Sequence, residues 1–382
     1  MRSWKRAAYG AGIIGAAVTA MAASLAPASA APAWYTTYVS PHASAHHSGK
    51  SCATARFRSV QAAVNATAVG GTVIVCRGVY RESVTITKPL VVRGKRGAVI
   101  NAKGLPYAIG LAHSYIEVRG LIVENATVNS KTGAPGDGIL TAGYVRGKPV
   151  PGNHELIEDN LARNNQGAGI DLNSTSWSLA SDNLTTGNGV GINLSNDLGK
   201  PDSHNLVEGN DTSHNPGGCG IALADHTGVG VYDNTIKDNL ADDNGLGTPS
   251  RPSASSGSGV ILAAAGKSGG VYNNLIEYNK MVGNGHGGVA MHAHLKGSRF
   301  SGNRIIGNAI GRNNLRTDYA DLKTTGIYLG SVGKVTITVR GNLIYDNRIG
   351  IFAAGPVTVR FPLANRFRHV SRRFKHIPVY AG

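Results

Sequence analysis

The residues able to do chemistry fall on a recurring short stripe of the form Gly-Ile-x-Leu. Asp171 and Asn173, then Asn193 and Ser195, sit in or at the end of two such stripes; Asp197, Asp225 and His226 follow stripes, and His292 and His294 close another. In an alternating segment successive side chains point to opposite faces. With Ile170 and Leu172 inward, Asp171 and Asn173 point outward, as do Asn193 and Ser195 in the next stripe, and Asp225 and His226 are read as outward just past theirs. Carboxylates and amides gathered in this way could hold sugar hydroxyls, or a calcium ion through Asp171, Asn193 and Asp197. Histidine accepts protons near neutral pH, so the reactive set is expected to be Asp225, His226, His292 and His294. Asp171, Asn173, Asn193 and Ser195 form the expected substrate-binding set, joined by the cations Arg146 and Lys267 from the following loops, where Lys148 and Lys200 also stand. The competing reading is a solvated outer sheet face, which alternation would produce with no function at all.

What must position these residues is a repeat. Seven Asn pairs share one spacing: Asn160/Asn165, Asn183/Asn188, Asn210/Asn215, Asn239/Asn244, Asn279/Asn284, Asn303/Asn308 and Asn342/Asn347, each followed by Gly and an apolar stripe. A period of roughly 23 to 40 residues is that of a solenoid. Each repeat has room for three short strands separated by tight bends. Asn is expected to take left-handed geometry at the bends and to hydrogen-bond in ladders from coil to coil, about 4.8 Å apart. A helical solenoid would place many of the 52 Gly of this 382-residue chain inside helices, at roughly 1 kcal/mol each. The pattern extends upstream to Gly120 and Asn125 and downstream to Asn365. Insertions at 126–137, 245–258 and 309–325 all fall between the second Asn and the Gly of a coil, so they would wall one edge of the stripe sheet and leave its face open to a glycan chain.

The ends and composition narrow the setting. Residues 1–30 carry Arg2, Lys5 and Arg6, an apolar stretch and Ala28-Ser29-Ala30, the form of a secretion signal cut before Ala31. That stretch is short and rich in Ala and Gly, so no membrane span is expected. The net charge of +16 becomes +13 without the three cations of this segment. An exported protein this basic favours polyanions such as uronate polysaccharide or other cell-wall polymer, whereas nucleic acid is disfavoured by export and by the lack of a recognition motif. A monomer outside the cytoplasm, drawn to the cell wall by its charge, is the expected state. Residues 31–51 lack periodicity and read as a flexible linker, within which His46-His47 is linker rather than metal ligand. Residues 52–89 read as an N-terminal cap with a helix from Val60 to Ala68, N-capped by Ser59, and a first strand from Thr72 to Cys76. Export permits disulfides, and Cys52 with Cys76 is expected to staple this cap, leaving Cys219 as a small buried residue. The β-helix proper is expected over 90–376, ending in a cap whose Arg and Lys face outward and whose Phe361, Phe367 and Phe374 cover the core, with a tail over 377–382.

The runs Phe57-Arg58-Ser59-Val60-Gln61-Ala62-Ala63-Val64, Gly71-Thr72-Val73-Ile74-Val75, Gly78-Val79-Tyr80-Arg81-Glu82, Val84-Thr85-Ile86 and Lys88-Pro89-Leu90 resemble the N-terminal signature of pectin-lyase-like right-handed parallel β-helix proteins. The Asn-pair coils are similar to the repeats of the same superfamily, which includes the periplasmic protein of nitrous-oxide reductase maturation. The resemblance implies an all-β right-handed parallel β-helix with a short N-terminal capping helix. It leaves the activity open among pectate lyase, mannuronan epimerase, polygalacturonase and no reaction. Pectate lyases supply Asp-bound calcium and an Arg base, and no outward Arg stands on these stripes. Epimerases carry Asp-Pro-His-Asp, of which Asp225-His226 keeps a fragment. Polygalacturonases need paired carboxylates on successive coils, which Asp171 and Asp197 match loosely. The expectation is a secreted protein that binds acidic polysaccharide along the stripe face and could act on it as lyase, epimerase or hydrolase; the alternative is a non-catalytic surface or maturation scaffold.

Overall fold

A computed structural model describes residues 34–131, 133–247, 257–265, 268–314 and 325–380. Residues 1–33, which include the expected secretion signal, lie outside the described residues.

Each coil contributes one strand to each face, and every face is paired in parallel between successive coils. A representative coil runs Leu156–Glu158, Leu161–Arg163 and Ala168–Asn173, and the next runs Leu179–Ser181, Leu184–Thr186 and Val190–Ser195. The first strands build a 12-stranded sheet and the stripes build an 11-stranded sheet from Val84–Ile86 to Arg372–Ile377. The middle strands form a five-stranded and a four-stranded sheet, joined through the single bridges of Leu184 to Asp211, Asp211 to Leu240 and Leu240 to Lys280. Inward residues stack in columns: Ile170, Ile192, Ile221 and Val260 lie in register and are fully buried, as are Leu172, Leu194 and Leu223. The apolar column is the core, and burying it is the main favourable term of the fold.

Among the described residues the ladders number three. Asn160, Asn183, Asn210, Asn239, Asn279, Asn308, Asn342 and Asn365 form one, each receiving the backbone N–H and side-chain N–H of its predecessor on its Oδ1. Asn165, Asn188, Asn215, Asn244, Asn284 and Asn313 form a second. A third starts with Glu155 and Ser178 and continues through Asn205, Asn234, Asn274 and Asn303. Asn303 therefore belongs to the third ladder, and Asn308 pairs with Asn313, one step later than the spacing alone suggested. Left-handed geometry falls on the residue before the ladder Asn, such as Asp159, Asn164, Asp182 and Asp238, rather than on the Asn itself. The ladder side chain is thereby turned inward, where its amide meets the otherwise unpaired backbone groups of the bend.

At the N-terminal end the helix spans Val60–Ala66, with Ser59 capping it and the Glu82 carboxylate accepting from the backbone N–H groups of Val60 and Gln61. It is two residues shorter than expected because Thr67–Val75 is already strand. The segment read as a flexible linker instead contributes Trp34–Val39, which pairs in parallel with Thr67–Val75 and supplies the buried Val39. Cys52 and Cys76 are joined in a disulfide. At the other end Phe367 and Phe374 pack on the core while Phe361 is exposed. The expected tail instead contributes to the stripe sheet and its cover, Arg372–Ile377 being the last strand, and Ile377 and Tyr380 packing on Tyr328 and Phe352.

Candidate functional site

Two outward rows run along the stripe sheet. One carries Leu140, Asp171, Asn193, Ala222, Ile261, Ala290, Tyr328 and Phe352 in register; the other carries Asn173, Ser195, Ala224, Ala263, His292 and Gly330. The structure thus brings Asp171, Asn173, Asn193 and Ser195 together, as the alternation required. Asp171 receives Asn193 Nδ2 at 2.9 Å and Ser195 Oγ at 3.2 Å on Oδ1, and Asn173 Nδ2 at 3.1 Å on Oδ2. Asn173 Nδ2 also donates to Asp197 Oδ2 at 3.2 Å, and Asp197 Oδ1 meets His226 Nδ1 at 2.5 Å. One hydrogen-bonded line therefore runs from a buried carboxyl to a half-exposed imidazole.

The two carboxyls are driven apart in acidity. Burial, reinforced by the nearby Asp197 charge, pushes Asp171 up to about 7 against the pull of its three donors. Burial also raises Asp197, but its hydrogen bond and charge pairing with His226 outweigh this and hold it below its ordinary value. His226 is raised in turn, first by that hydrogen bond. Near neutral pH Asp171 is poised between its two forms beside an ionised Asp197.

Hairpins wall this network. The insertion at 126–137 pairs Val128–Asn129 with Ala134–Pro135, and a second hairpin, Ala142–Val145 with Lys148–Pro151, rises from the next turn. Between them Gly133, Pro135, Leu140, Ala142, Pro149 and Leu198 line a pocket of about 260 Å³ whose floor is Asp171, Asn173 and Asp197. Arg146 and Lys148 are exposed on the second hairpin and Lys200 is exposed in the turn beyond Asp197. Lys267 lies outside the described residues, as does much of the insertions expected at 245–258 and 309–325.

Asp225 is not an outward residue. Its strand runs Ile221–Asp225, so the period of two that turns Ile221 and Leu223 inward turns Asp225 inward as well. It is fully buried, with Oδ1 accepting from Asn196 Nδ2 at 2.5 Å and Gly228 N–H at 2.8 Å, and Oδ2 accepting from the Gly270 N–H. Any side chain at Gly269 would collide with Oδ2. Asp225 braces two turns and is closed to substrate. His292 and His294 lie four register steps from Asn173, about 19 Å along the stack, and so belong to a separate cluster. His292 packs against His286 at 5.3 Å with the rings tilted by 37°, and stacks on His294 at 5.2 Å between ring centroids, with Tyr328 at 5.4 Å. Burial pushes His292 down to about 3 and His286 down to about 4. His294 Nδ1 is engaged by Tyr380 Oη at 2.7 Å.

The residues do not fit calcium. The oxygens of Asp171 are filled by donors, and Asn193 and Asn173 present amide N–H groups toward it. The histidine rings stack rather than converge, and among the described residues no group of three or more His, Cys, Asp or Glu is arranged to hold a metal ion. Cys219 is buried, and burial pushes its thiol up to about 11. Sequence reasoning missed Asp137 and Asp202, both buried and raised well above the carboxylate range by burial; the Asp171 charge adds to each shift. Asp137 occupies the register position of Ala168 and Val190, and an acid in an otherwise apolar row was the available signal.

Residues 98–247 match the family described as periplasmic copper-binding protein (NosD). Comparison with curated proteins gives no match. Among solved structures, a pectate lyase is similar at TM-score 0.51 and 16% identity over 89% of this chain and 78% of its own. The A-module of a mannuronan C-5 epimerase from Azotobacter vinelandii is similar at 0.52 and 18% over 84% and 91%. PfbA, a surface adhesin of Streptococcus pneumoniae, is similar at 0.52 and 14% over 82% and 85%. The fold is that of the pectin-lyase-like right-handed parallel β-helices. Within the described residues no helix of this β-helix is long and apolar enough to cross a membrane.

Proposed function

We propose that this is an exported β-helix protein that binds acidic, uronate-containing polysaccharide along the stripe face, with one sugar seated in the walled pocket over Asp171, Asn173 and Asp197. The observation that carries the reading is the continuous network that runs over the floor of that pocket from Asp171 through Asn173 to Asp197 and continues from Asp197 to His226 beside it. Such a floor offers both donors and acceptors to sugar hydroxyls. The net charge of +16, or +13 without the three cations of the expected secretion signal, draws a polyanion to the surface, and Arg146, Lys148 and Lys200 stand on or beside the walls. Similar folds carry a pectate lyase and a mannuronan epimerase, which supports a uronate polymer as the class to test first.

A second reading adds catalysis. Neighbouring carboxyls held at different acidities suit a division into proton donor and proton acceptor. Asp171, protonated in part at neutral pH, would protonate a leaving glycosidic oxygen, and Asp197, oriented by His226, would accept a proton from water or from the sugar. The test is incubation with a panel of polyuronates, following unsaturated-uronate absorbance, new reducing ends and C-5 inversion, together with binding of short oligosaccharides. Product formation abolished by Asp171→Asn supports the catalytic reading. Binding without product supports a lectin-like groove, and short-oligosaccharide affinity left unchanged by Asp171→Asn with Asp197→Asn would overturn the pocket and leave a basic scaffold.

A further inference from the structure

A second exposed feature lies on the corner that precedes the 12-stranded sheet. There the residues at positive φ in successive coils are Tyr115, His154, Trp177 and His204, with φ of 63, 56, 61 and 57°. The same corner in later coils uses Asp233, Asn273 and Gly302, and the neighbouring corner is served mainly by Gly and Asp. Bulky side chains are disfavoured in left-handed geometry, so four in a row at a corner that Asn or Gly can fill are kept against a steric cost. They do not serve the core: Tyr115 is 64% and Trp177 59% exposed.

The column continues as one stack. Trp177 stacks on His204 at 4.3 Å, His204 meets the edge of Tyr232 at 6.2 Å, and Tyr232 stacks on Tyr272 at 4.9 Å. Arg299 closes it, its guanidinium lying 3.8 Å over the Tyr272 ring. Beyond that face, Arg299 and Lys334 line a second pocket with Asn273 and Ser301, of about 400 Å³. Both cations are exposed, and Arg299 is held in place by the ring beneath it.

We infer that this corner is a second polysaccharide-binding track, separate from the stripe-face pocket, on which an acidic glycan lies along the solenoid axis against Trp177, His204 and Tyr272 and places a carboxylate between Arg299 and Lys334. The track is one side chain wide and spans five successive coils, about 19 Å between its ends. That shape suits a linear chain rather than the broad face of a folded protein. The edges of the stacked rings offer apolar contact to sugar C–H groups while Arg299 and Lys334 match the charge of uronates.

The full-length chain with Trp4→Phe and Trp34→Phe retains Trp177 as its one tryptophan, a direct reporter of the corner. Polygalacturonate is expected to protect Trp177 from acrylamide quenching, and the protection should persist when Asp171→Asn and Asp197→Asn disable the stripe-face pocket. In the otherwise native chain, Trp177→Asn with Arg299→Gln should weaken polymer binding about tenfold, whereas Arg340→Gln, which removes an exposed cation elsewhere, should change it little. Trp177→Asn suits the left-handed corner, so its melting temperature should not fall. Unprotected Trp177, an equal loss from Arg340→Gln, or a lowered melting temperature with unchanged polymer affinity would each overturn the track and assign the column to stacking between coils.

Discussion

The two ends of the stripe sheet use the same two outward rows and make different things of them. Toward the N-terminal end the rows carry Asp171, Asn173, Asn193 and Ser195, linked by hydrogen bonds and open to a pocket. Toward the C-terminal end they carry His292, Tyr328 and Phe352, packed against His286, His294 and Tyr380. At the first end the carboxyls have polar partners, so desolvation is opposed and one carboxyl is left poised near neutrality. At the second, rings meet rings, and desolvation keeps His292 and His286 uncharged at neutral pH. A histidine's usefulness depends on what covers it, which is why His226, tied to Asp197, belongs with the candidate site and His292 with the packing.

The sharpest way to break this contrast is through what each end requires of the fold. Asp225→Ala should cost on the order of 3 kcal/mol or more, because the N–H groups of Gly228 and Gly270 and the Asn196 amide lose their buried acceptor; chemical denaturation measures it, and a change below 1 kcal/mol would return Asp225 to the list of surface residues. Asp171→Asn should reduce binding of short polyuronate oligosaccharides about tenfold, whereas His292→Phe should leave it unchanged in the same titration calorimetry. Equal losses would merge the two ends into one site.

The pH dependence of stability separates the ends by sign. Asp171 binds its proton more tightly when folded, so its contribution is full below about pH 4 and is lost as pH rises toward about 7. His292 and His286 bind protons less tightly when folded, so their contribution is full above about pH 6.5 and is lost as pH falls toward 4 and then 3. Asp171→Asn should therefore flatten the decline of the melting temperature between pH 4 and 7, and His292→Phe should flatten the rise over the same interval; the reverse pattern would invert the assignments. The smallest effect expected is that of calcium chelation, which should shift melting by less than about 1 °C because the Asp171 oxygens already have donors, a margin well within one kcal/mol for a domain of this size.

The solenoid was legible because its rules are local. Alternation located Ile170, Leu172 and Asp171 on their correct faces, and Asn spacing announced the ladders. The third ladder starts with Glu155 and Ser178, so the recurring Asn pairs do not reveal it, and Asn303 belongs to it rather than to the ladder its spacing suggests. The pocket was half legible. Its floor followed from alternation, but the pairing of His226 with Asp197 joins residues 29 apart on adjacent turns, and turn conformation has no simple period. Asp225 was misjudged by one residue of strand length, which in a sheet is a full reversal of face.

The ladders also have a direction. In the longest ladder each rung's backbone and side-chain N–H groups donate to the Oδ1 of the next coil, as Asn160 does to Asn183 and Asn183 to Asn210, and the side chain donates back to a carbonyl of the coil before, as Asn183 does to Ile157. A finished coil is therefore a template that sets the register of its successor. The starting end is fastened by the Cys52–Cys76 link and by a helix whose first turn is held by Glu82. A chain delivered from its N-terminus would meet a completed seed early and then zip forward one rung at a time, without waiting for its distant end.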